Sequence, residues 1–204
     1  MDAIAPRLRS SHFTEQLRSE VVRKSIHFLI ALVPSIASAF SVLFAVSLLA
    51  TGTLVYIGSE YLRRHGTVVP IITRLTLIAS RPRDRDRFVL GPVTLGLGAM
   101  VALIFYPEPA ASIAIYALAF GDGLASLVGK FWGSWRVPGT GKSIEGSLAC
   151  FVASFVAAVG LTPTVSVAIV VALVATILEA LPTHDADNLV LPIGVGLVTT
   201  LIVV

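Results

Sequence analysis

Residues 139–146 read GTGKSIEG, and the fold turns on how they are taken. As a phosphate-binding loop they would follow a β-strand and open a helix in a soluble α/β domain. That loop is written G-x-x-x-x-G-K-[ST], and its first glycine would fall on position 136, which is Arg136. The flanks are not strands either. GLASLVGKFWG (123–133) precedes the stretch and SLACFVASFVAAVG (147–160) follows it, both apolar runs of helical character. GTGKS is therefore a turn between two apolar helices. It keeps the elements of an anion site: two glycines for close backbone approach, Lys142, the Ser143 hydroxyl, and free N–H groups at the helix start 143–146. An ordinary basic turn with a helix cap would use the same letters, and the stretch alone leaves both readings open.

The rest of the chain decides between a soluble and a membrane fold. Hydrophobic residues make up 55% of the 204 and charged residues 13%, against roughly 25% charged in an average soluble domain. Mean hydropathy is +0.89. The apolar residues come in blocks near the length that crosses a bilayer core of ~30 Å, and a chain this short cannot bury that many helices on all sides. Seven blocks are read, at 26–40, 42–59, 91–106, 112–130, 146–161, 165–181 and 189–204. The expected fold is an all-α integral membrane protein, a bundle of about seven transmembrane helices. Residues 1–25 form a polar N-terminal segment expected to be retained and cytoplasmic, and 26–204 a single transmembrane domain. Pro34 and the lone Ser41 turn leave the first two blocks as either a tight hairpin or a half-span. Cys150, the single cysteine, excludes an internal disulfide.

Basic residues orient the bundle. All 15 Lys and Arg fall in the N-terminal segment, in 61–90, or in 130–145, and the connections at 107–111 and 161–164 have none. With seven spans and the N-terminus inside, every basic stretch is cytoplasmic, as the positive-inside rule requires, and the C-terminus is outside. Within 61–90, TVVPIITRLTLIAS (67–80) is expected to lie in the interface as an amphipathic helix or to dip back in. RPRDRDR (81–87) is expected to be a solvated or headgroup-contacting strip.

The acids gather at the same end. Glu20, Glu60, Asp122, Glu145, Glu179, Asp185 and Asp187 all fall on the cytoplasmic half, and Glu108 on the outer side. Hard oxygen ligands at one end of several helices suit a site for a divalent metal and phosphate. Asp122 stands out, eight residues before Lys130 and so ~12 Å deep in a continuous helix. An intramembrane carboxylate usually faces a cavity or a partner. Gly121 and Gly123 beside it predict a broken or closely approached helix; an Asp that merely caps a helix break is the plainer alternative. SEVVRKSIHF (19–28) places Glu20 with Lys24, and Arg23 with His27, at i, i+4 spacing. These are either phosphate-binding cations with a histidine or a salt-bridged helix end with snorkelling side chains. His12, His65 and His184 are expected in solvated loops, with His184 and Asp185 as weak candidates beside the acidic loop.

Four blocks, RKSIH (23–27), GDGLASLVGKFWG (121–133), GKSIEGSLACF (141–151), and Glu179 with DNLVLP (187–192), resemble in order and spacing the membrane family of polyprenol kinases. That family includes dolichol kinase, phytol kinase and the CTP-dependent diacylglycerol kinase. The resemblance runs from about residue 20 to 192, and 61–90 matches it less clearly. It implies transfer of the γ-phosphoryl group of a nucleotide, typically CTP, to the hydroxyl of a membrane-embedded alcohol, with Mg²⁺ as cofactor. Carried over by motif, it places nucleotide binding on Arg23, Lys24, Gly121, Gly129, Lys130, Lys142, Ser143 and Gly146. On the placement of the acids, metal binding is expected at Glu145 and Asp187, with Asp122 and Glu179 as further candidates, and catalysis at Asp122, the deepest acid and candidate base, and at His27. Base and metal roles are interchangeable among these acids at this level, and Ala186 between Asp185 and Asp187 departs from the family's paired acids before Asn188.

Two other readings use the same ingredients. A CTP-dependent cytidylyltransferase acting on a lipid phosphate needs Mg²⁺, acids and a membrane substrate, and releases pyrophosphate. A small transporter would use a broken helix at Asp122, but the charges crowd one face and no inverted repeat is visible. The expected partners are the bilayer, a lipid alcohol of polyprenol, phytol or geranylgeraniol type, and a nucleotide, with ATP open beside CTP. No nucleic acid is expected. Gly96/Gly98 and Gly194/Gly196 suit a homodimer or packing within one chain. The expected location is the cell membrane, multi-pass, with the site at the cytoplasmic face.

Overall fold

The computed structural model describes residues 4–80, 84, 87–183 and 186–203. His184, Asp185 and most of the 81–87 strip lie outside the described residues. All named elements are helical. Helix α1 (Ile4–Leu29) runs through a 3₁₀ turn at Ile30–Leu32 into α2 (Val33–Ala39). Pro34, in the first turn of α2, donates no backbone hydrogen bond, so the ladder changes just before it. The polar N-terminal segment and the first apolar block are thus one rod, and His12 lies in helix rather than in the loop expected for it. Ser41 ends the rod and caps α3 (Val42–Arg64), its Oγ accepting from Phe44 N at 3.1 Å. The first two blocks therefore meet at a two-residue turn, and α2 packs on α3.

Helix α4 (Pro70–Ala79) follows where an interfacial helix or a segment dipping back into the bilayer was expected. Its buried residues are Thr73 and Thr76, while Ile71 and Leu77 are exposed. Apolar side chains outward and hydroxyls inward is the arrangement that lipid, not water, selects. The remaining helices are α5 (Gly91–Phe105), α6 (Ala110–Tyr116), α7 (Gly123–Phe131), α8 (Ile144–Val159), α9 (Val165–Ala180) and α10 (Asp187–Val203). A π-helical turn, Ala117–Asp122, joins α6 to α7. The rod Ala110–Phe131 is therefore wound differently near Asp122 but not broken. Gly121 and Gly123 serve close approach: added Cβ atoms would come within 2.8 Å of Ser154 Oγ and 2.6 Å of Phe28 Cε1.

This rod is the centre of the bundle. Ile113, Ile115 and Leu118 on it are at most 1% exposed, and Ala99, Ala102, Ala172 and Ala175 on neighbouring helices are fully buried. Small residues let helix backbones come close enough to gain dispersion energy where lipid offers no hydrophobic drive. Leu43 and Leu54 on α3, Leu148 and Val156 on α8, Ile177 on α9 and Leu201 on α10 all point outward and are more than half exposed. An apolar outer surface of that extent marks a membrane protein. Among the described residues three helical stretches are long and apolar enough to cross a bilayer, Glu15–Ala39, Val42–Arg64 and Ala110–Phe131. Helices α5, α8, α9 and α10 are apolar and shorter. Gly96, Gly98, Gly194 and Gly196 pack within the chain, against Thr53, Asn188, Leu178 and Tyr106.

Candidate active site

The turn before α8 sets one wall of the site. Val137 N donates to Lys142 O at 2.9 Å and Ile144 N to Trp135 O at 2.9 Å, so residues 135–144 fold back as a short hairpin. Gly139 and Gly141 take φ of 78° and 70° at its bend, a region that only glycine enters freely. Ser143 caps α8, with Gly146 N donating to its Oγ at 3.1 Å. Glu145, in the first turn and partly buried, accepts from Ser134 N at 2.9 Å and Trp135 N at 3.1 Å. Its own backbone N–H, then that of Ser134, hold its carboxyl below the ordinary glutamate range.

A cavity of about 590 Å³ opens between this hairpin, α1, α7 and the ends of α9 and α10. Arg23, Lys130, Arg136 and Lys142 bring four cations to it, and Glu20, Glu179 and Asp187 three acids. Ser143 and Gly146 add the N-terminal end of α8. Glu20 is gripped by Arg23 and by Lys130, the latter at 3.0 Å, and Lys142 pairs with Glu179. Burial acts to lower the Lys142 pKa, but the Glu179 carboxylate outweighs it and holds the ammonium above its ordinary value.

Behind this cavity lies a buried polar cluster. Lys24 is 2% exposed and pairs with Asp122, 3% exposed. His27 Nε2 lies 3.1 Å from Asp122 Oδ2 and 3.0 Å from Asn188 Oδ1. Asn188 is oriented by its amide, which donates to Gly91 O and to Thr94 Oγ1 at 3.2 and 2.9 Å. Two acceptors at Nε2 assign the ring proton to that atom, which leaves Nδ1 as an acceptor. Nδ1 is buried and has no hydrogen-bond partner. Lys24, His27 and Asn188 also line a second cavity of about 340 Å³, whose remaining walls are largely apolar. Arg23 and Asp187 line both cavities.

Metal fit follows from the donor set. Among the described residues no three His, Cys, Asp or Glu side chains cluster as a metal cage. Mg²⁺ seldom uses one; it takes one or two carboxylates with waters and substrate phosphates. Glu179 and Asp187 on the cavity wall meet that requirement, and Glu179 Oε2 is buried without a partner.

Comparison with known proteins gives relatives with a common activity in their names. The chain is 42% identical over 98 residues to phytol kinase of Synechocystis sp., covering 43% of this chain and 42% of the relative. It is 31% identical over 150 residues to dolichol kinase of Saccharomyces cerevisiae, covering 70% of this chain and 27% of the relative. The chain is similar to the polyprenol (isoprenoid-alcohol) kinases. A chloroplastic farnesol kinase of Arabidopsis thaliana is 36% identical over 83 residues, covering 39% of this chain and 27% of the relative. The chain therefore spans less than half the length of these relatives. No family model and no solved structure matches it.

Most of the motif residues that carry the family resemblance converge. Arg23, Gly129, Lys130, Lys142, Ser143, Gly146, Glu179 and Asp187 line the polar cavity, and Lys24, His27 and Asp122 form the cluster behind it. Gly121 is withdrawn against α8. Glu145 lines neither cavity, because the hairpin N–H groups occupy its carboxylate. The i, i+4 pairs expected on α1 are replaced by longer reaches, Glu20 to Lys130 and Lys24 to Asp122. His65 is exposed at the end of α3 with Nδ1 2.8 Å from Tyr61 O. Arg136, Thr140 and Tyr56 line cavities and were not singled out; only their place in loops or apolar runs was legible.

Proposed function

We propose that the chain is a membrane lipid-alcohol kinase that transfers the γ-phosphoryl group of a nucleotide, CTP before ATP, to an isoprenoid alcohol. The observation that carries this reading is the meeting of a cation-lined cavity and a largely apolar one at a shared wall. Phosphoryl transfer needs little covalent help from protein and much positioning and charge neutralisation. Arg23, Lys130, Arg136, Lys142 and the start of α8 would hold the phosphates, exchanging their present acidic partners for them. Glu179 and Asp187 would hold Mg²⁺, which supplies neutralisation of charge on the phosphate oxygens. Glu145 would act by keeping the hairpin in place.

The alcohol oxygen attacks the γ-phosphorus, the bond to the β,γ-bridging oxygen breaks, and a lipid phosphate and a nucleoside diphosphate leave. The alcohol proton must be accepted. Asp122, the base expected from sequence, is covered by Lys24 and His27 and is not among the residues lining either cavity. His27 lines the second cavity, and its unpartnered Nδ1 is the acceptor we assign, reached by the hydroxyl once the ring shifts to admit it, with Asp122 orienting the ring through Nε2, the arrangement by which a carboxylate sets a histidine base elsewhere.

The topology belongs to the same proposal. All seven apolar passes cross the bilayer, with the N-terminus and the site cytoplasmic and the C-terminus outside, in the cell membrane. Exposed Trp132 and Trp135 beside the hairpin support an interface at that level. Equilibrium binding tests the nucleotide assignment. Wild-type protein is expected to bind Mg–CTP, and Lys142→Met to bind it at least tenfold more weakly, since a hydrogen bond to a charged group is worth about 1.5–3 kcal/mol. Absence of nucleotide binding by the wild type would refute the reading.

A further inference from the structure

We infer that the second cavity is the acceptor site, and that it encloses the hydroxyl and about the first two isoprene units of a single-chain alcohol. This rests on the kinase reading for its chemistry and on separate observations for its location. The cavity lies between α1, α3, α4 and the starts of α5 and α10. Lys24, His27 and Asn188 line it on one side, Tyr56, Thr76, Ser80 and Asp84 add polar groups elsewhere, and the apolar wall includes Gly52, Ile72 and Leu75.

Three features name the occupant. His27 lines the cavity and its Nδ1 is buried without a partner, so a hydroxyl that enters beside the ring and shifts it enough to reach Nδ1 supplies the missing hydrogen bond. Arg23 and Asp187 carry the wall through to the phosphate cavity, which brings that hydroxyl next to the phosphoryl donor. A volume of about 340 Å³ holds on the order of eleven groups the size of water at ~30 Å³ each. One hydroxyl and ten carbons fill it. Leu75 lines the cavity and is 44% exposed, so the wall at α4 reaches the outer apolar surface. The rest of a longer chain passes out there into lipid. Helix α4, with threonines inward and apolar residues outward, is thus a wall of the acceptor site.

The inference makes enzyme preference depend on the head of the alcohol and not on total length. Gly52 provides the test, because an added Cβ there meets no protein atom within 4 Å. Purified full chain in lipid nanodiscs is assayed with Mg²⁺, labelled nucleotide, and isoprenoid alcohols of five to twenty carbons. The KM of the wild type is expected to fall from five to ten carbons and then to level off. Gly52→Phe is expected to raise the KM for the ten-carbon alcohol at least tenfold and to change the nucleotide KM less than twofold. An unchanged alcohol KM in Gly52→Phe, or a KM that keeps falling to twenty carbons, would overturn the assignment.

A second measurement is independent of turnover and of whether Gly52→Phe folds. A fifteen-carbon isoprenoid alcohol bearing a diazirine near its hydroxyl end is photolysed with the wild-type protein. Label on peptides of α3 around Gly52 and of α4 around Ile72, displaced by unmodified alcohol, supports the site. Label confined to α8 and α9 overturns it, whether or not phosphate is transferred. Absence of transfer to every alcohol, with label on α3 and α4, refutes the kinase reading while leaving the lipid site in place.

Discussion

The pairing of Lys24 with Asp122 predicts a large and strongly non-additive stability effect. Both side chains are at most 4% exposed, and His27 is the further polar group in contact with Asp122. Lys24→Met leaves a buried carboxylate without its cation. Breaking a buried pair in this way costs about 3–5 kcal/mol. His27 remains 3.1 Å away and offsets part of the loss, so the lower end, ~3 kcal/mol, is the working figure. For a chain of this length 1 kcal/mol moves Tm by roughly 2–4 °C, which gives a fall of about 6–12 °C. Asp122→Asn strands the ammonium and should cost a similar amount. The double variant Lys24→Met/Asp122→Asn removes both charges and is expected to recover at least about 2 kcal/mol relative to the sum of the singles. The assay is thermal unfolding in detergent, followed by the fluorescence of Trp132 and Trp135. Singles within about 0.5 kcal/mol of wild type, or a strictly additive double, would refute the buried pair.

Three further predictions concern the site walls. Lys142 has a raised pKa, so the stability of its pair with Glu179 is fully present below the unfolded lysine value and lost only as pH rises through the higher folded one. Lys142→Arg should therefore show the same pH profile of stability as wild type up to about pH 10; divergence below that would contradict the pairing. Glu145 has a depressed pKa, so its hold on the hairpin is present above the unfolded glutamate value and lost as pH falls through the folded one. Glu145→Gln should speed hydrogen exchange at Ser134 and Trp135 at neutral pH, and unchanged exchange would show that the hairpin stands without it. Gly98→Ala places a Cβ 2.0 Å from Asn188 O, so it should cost about 1–3 kcal/mol and reduce turnover, whereas Gly58→Ala, with nothing within 4 Å, should stabilise by about 0.5–1 kcal/mol. Equal effects at the two positions in thermal unfolding would contradict the packing.

The membrane class and the site's general location were legible because the physics behind them is local. Apolar blocks of bilayer length, an acid inside one of them at Asp122, and a glycine-lysine-serine turn before a helix each show in a short window. Pairings across long separations were not. Glu20 with Lys130, and His27 with Asn188, join residues 110 and 161 positions apart. At Glu145 an acid at a helix start has the same letters whether it faces a metal or ties down a turn, as its hydrogen bonds to Ser134 N and Trp135 N do here. Residues 67–80 were legible as an interfacial or re-entrant segment, but the role of α4 as a cavity wall depends on threonines turned inward, which only the neighbours α1 and α3 reveal. The π-helical turn at Asp122 leaves no mark beyond two glycines.

The most direct test of the central claim is transfer itself. Purified full chain with Mg²⁺, γ-labelled CTP or ATP, and geranylgeraniol, phytol, a polyprenol or diacylglycerol is extracted into organic solvent. The account predicts label in an isoprenoid phosphate and a nucleoside diphosphate in the aqueous phase. No label in any lipid, with pyrophosphate released from CTP when a lipid phosphate is supplied, would contradict it.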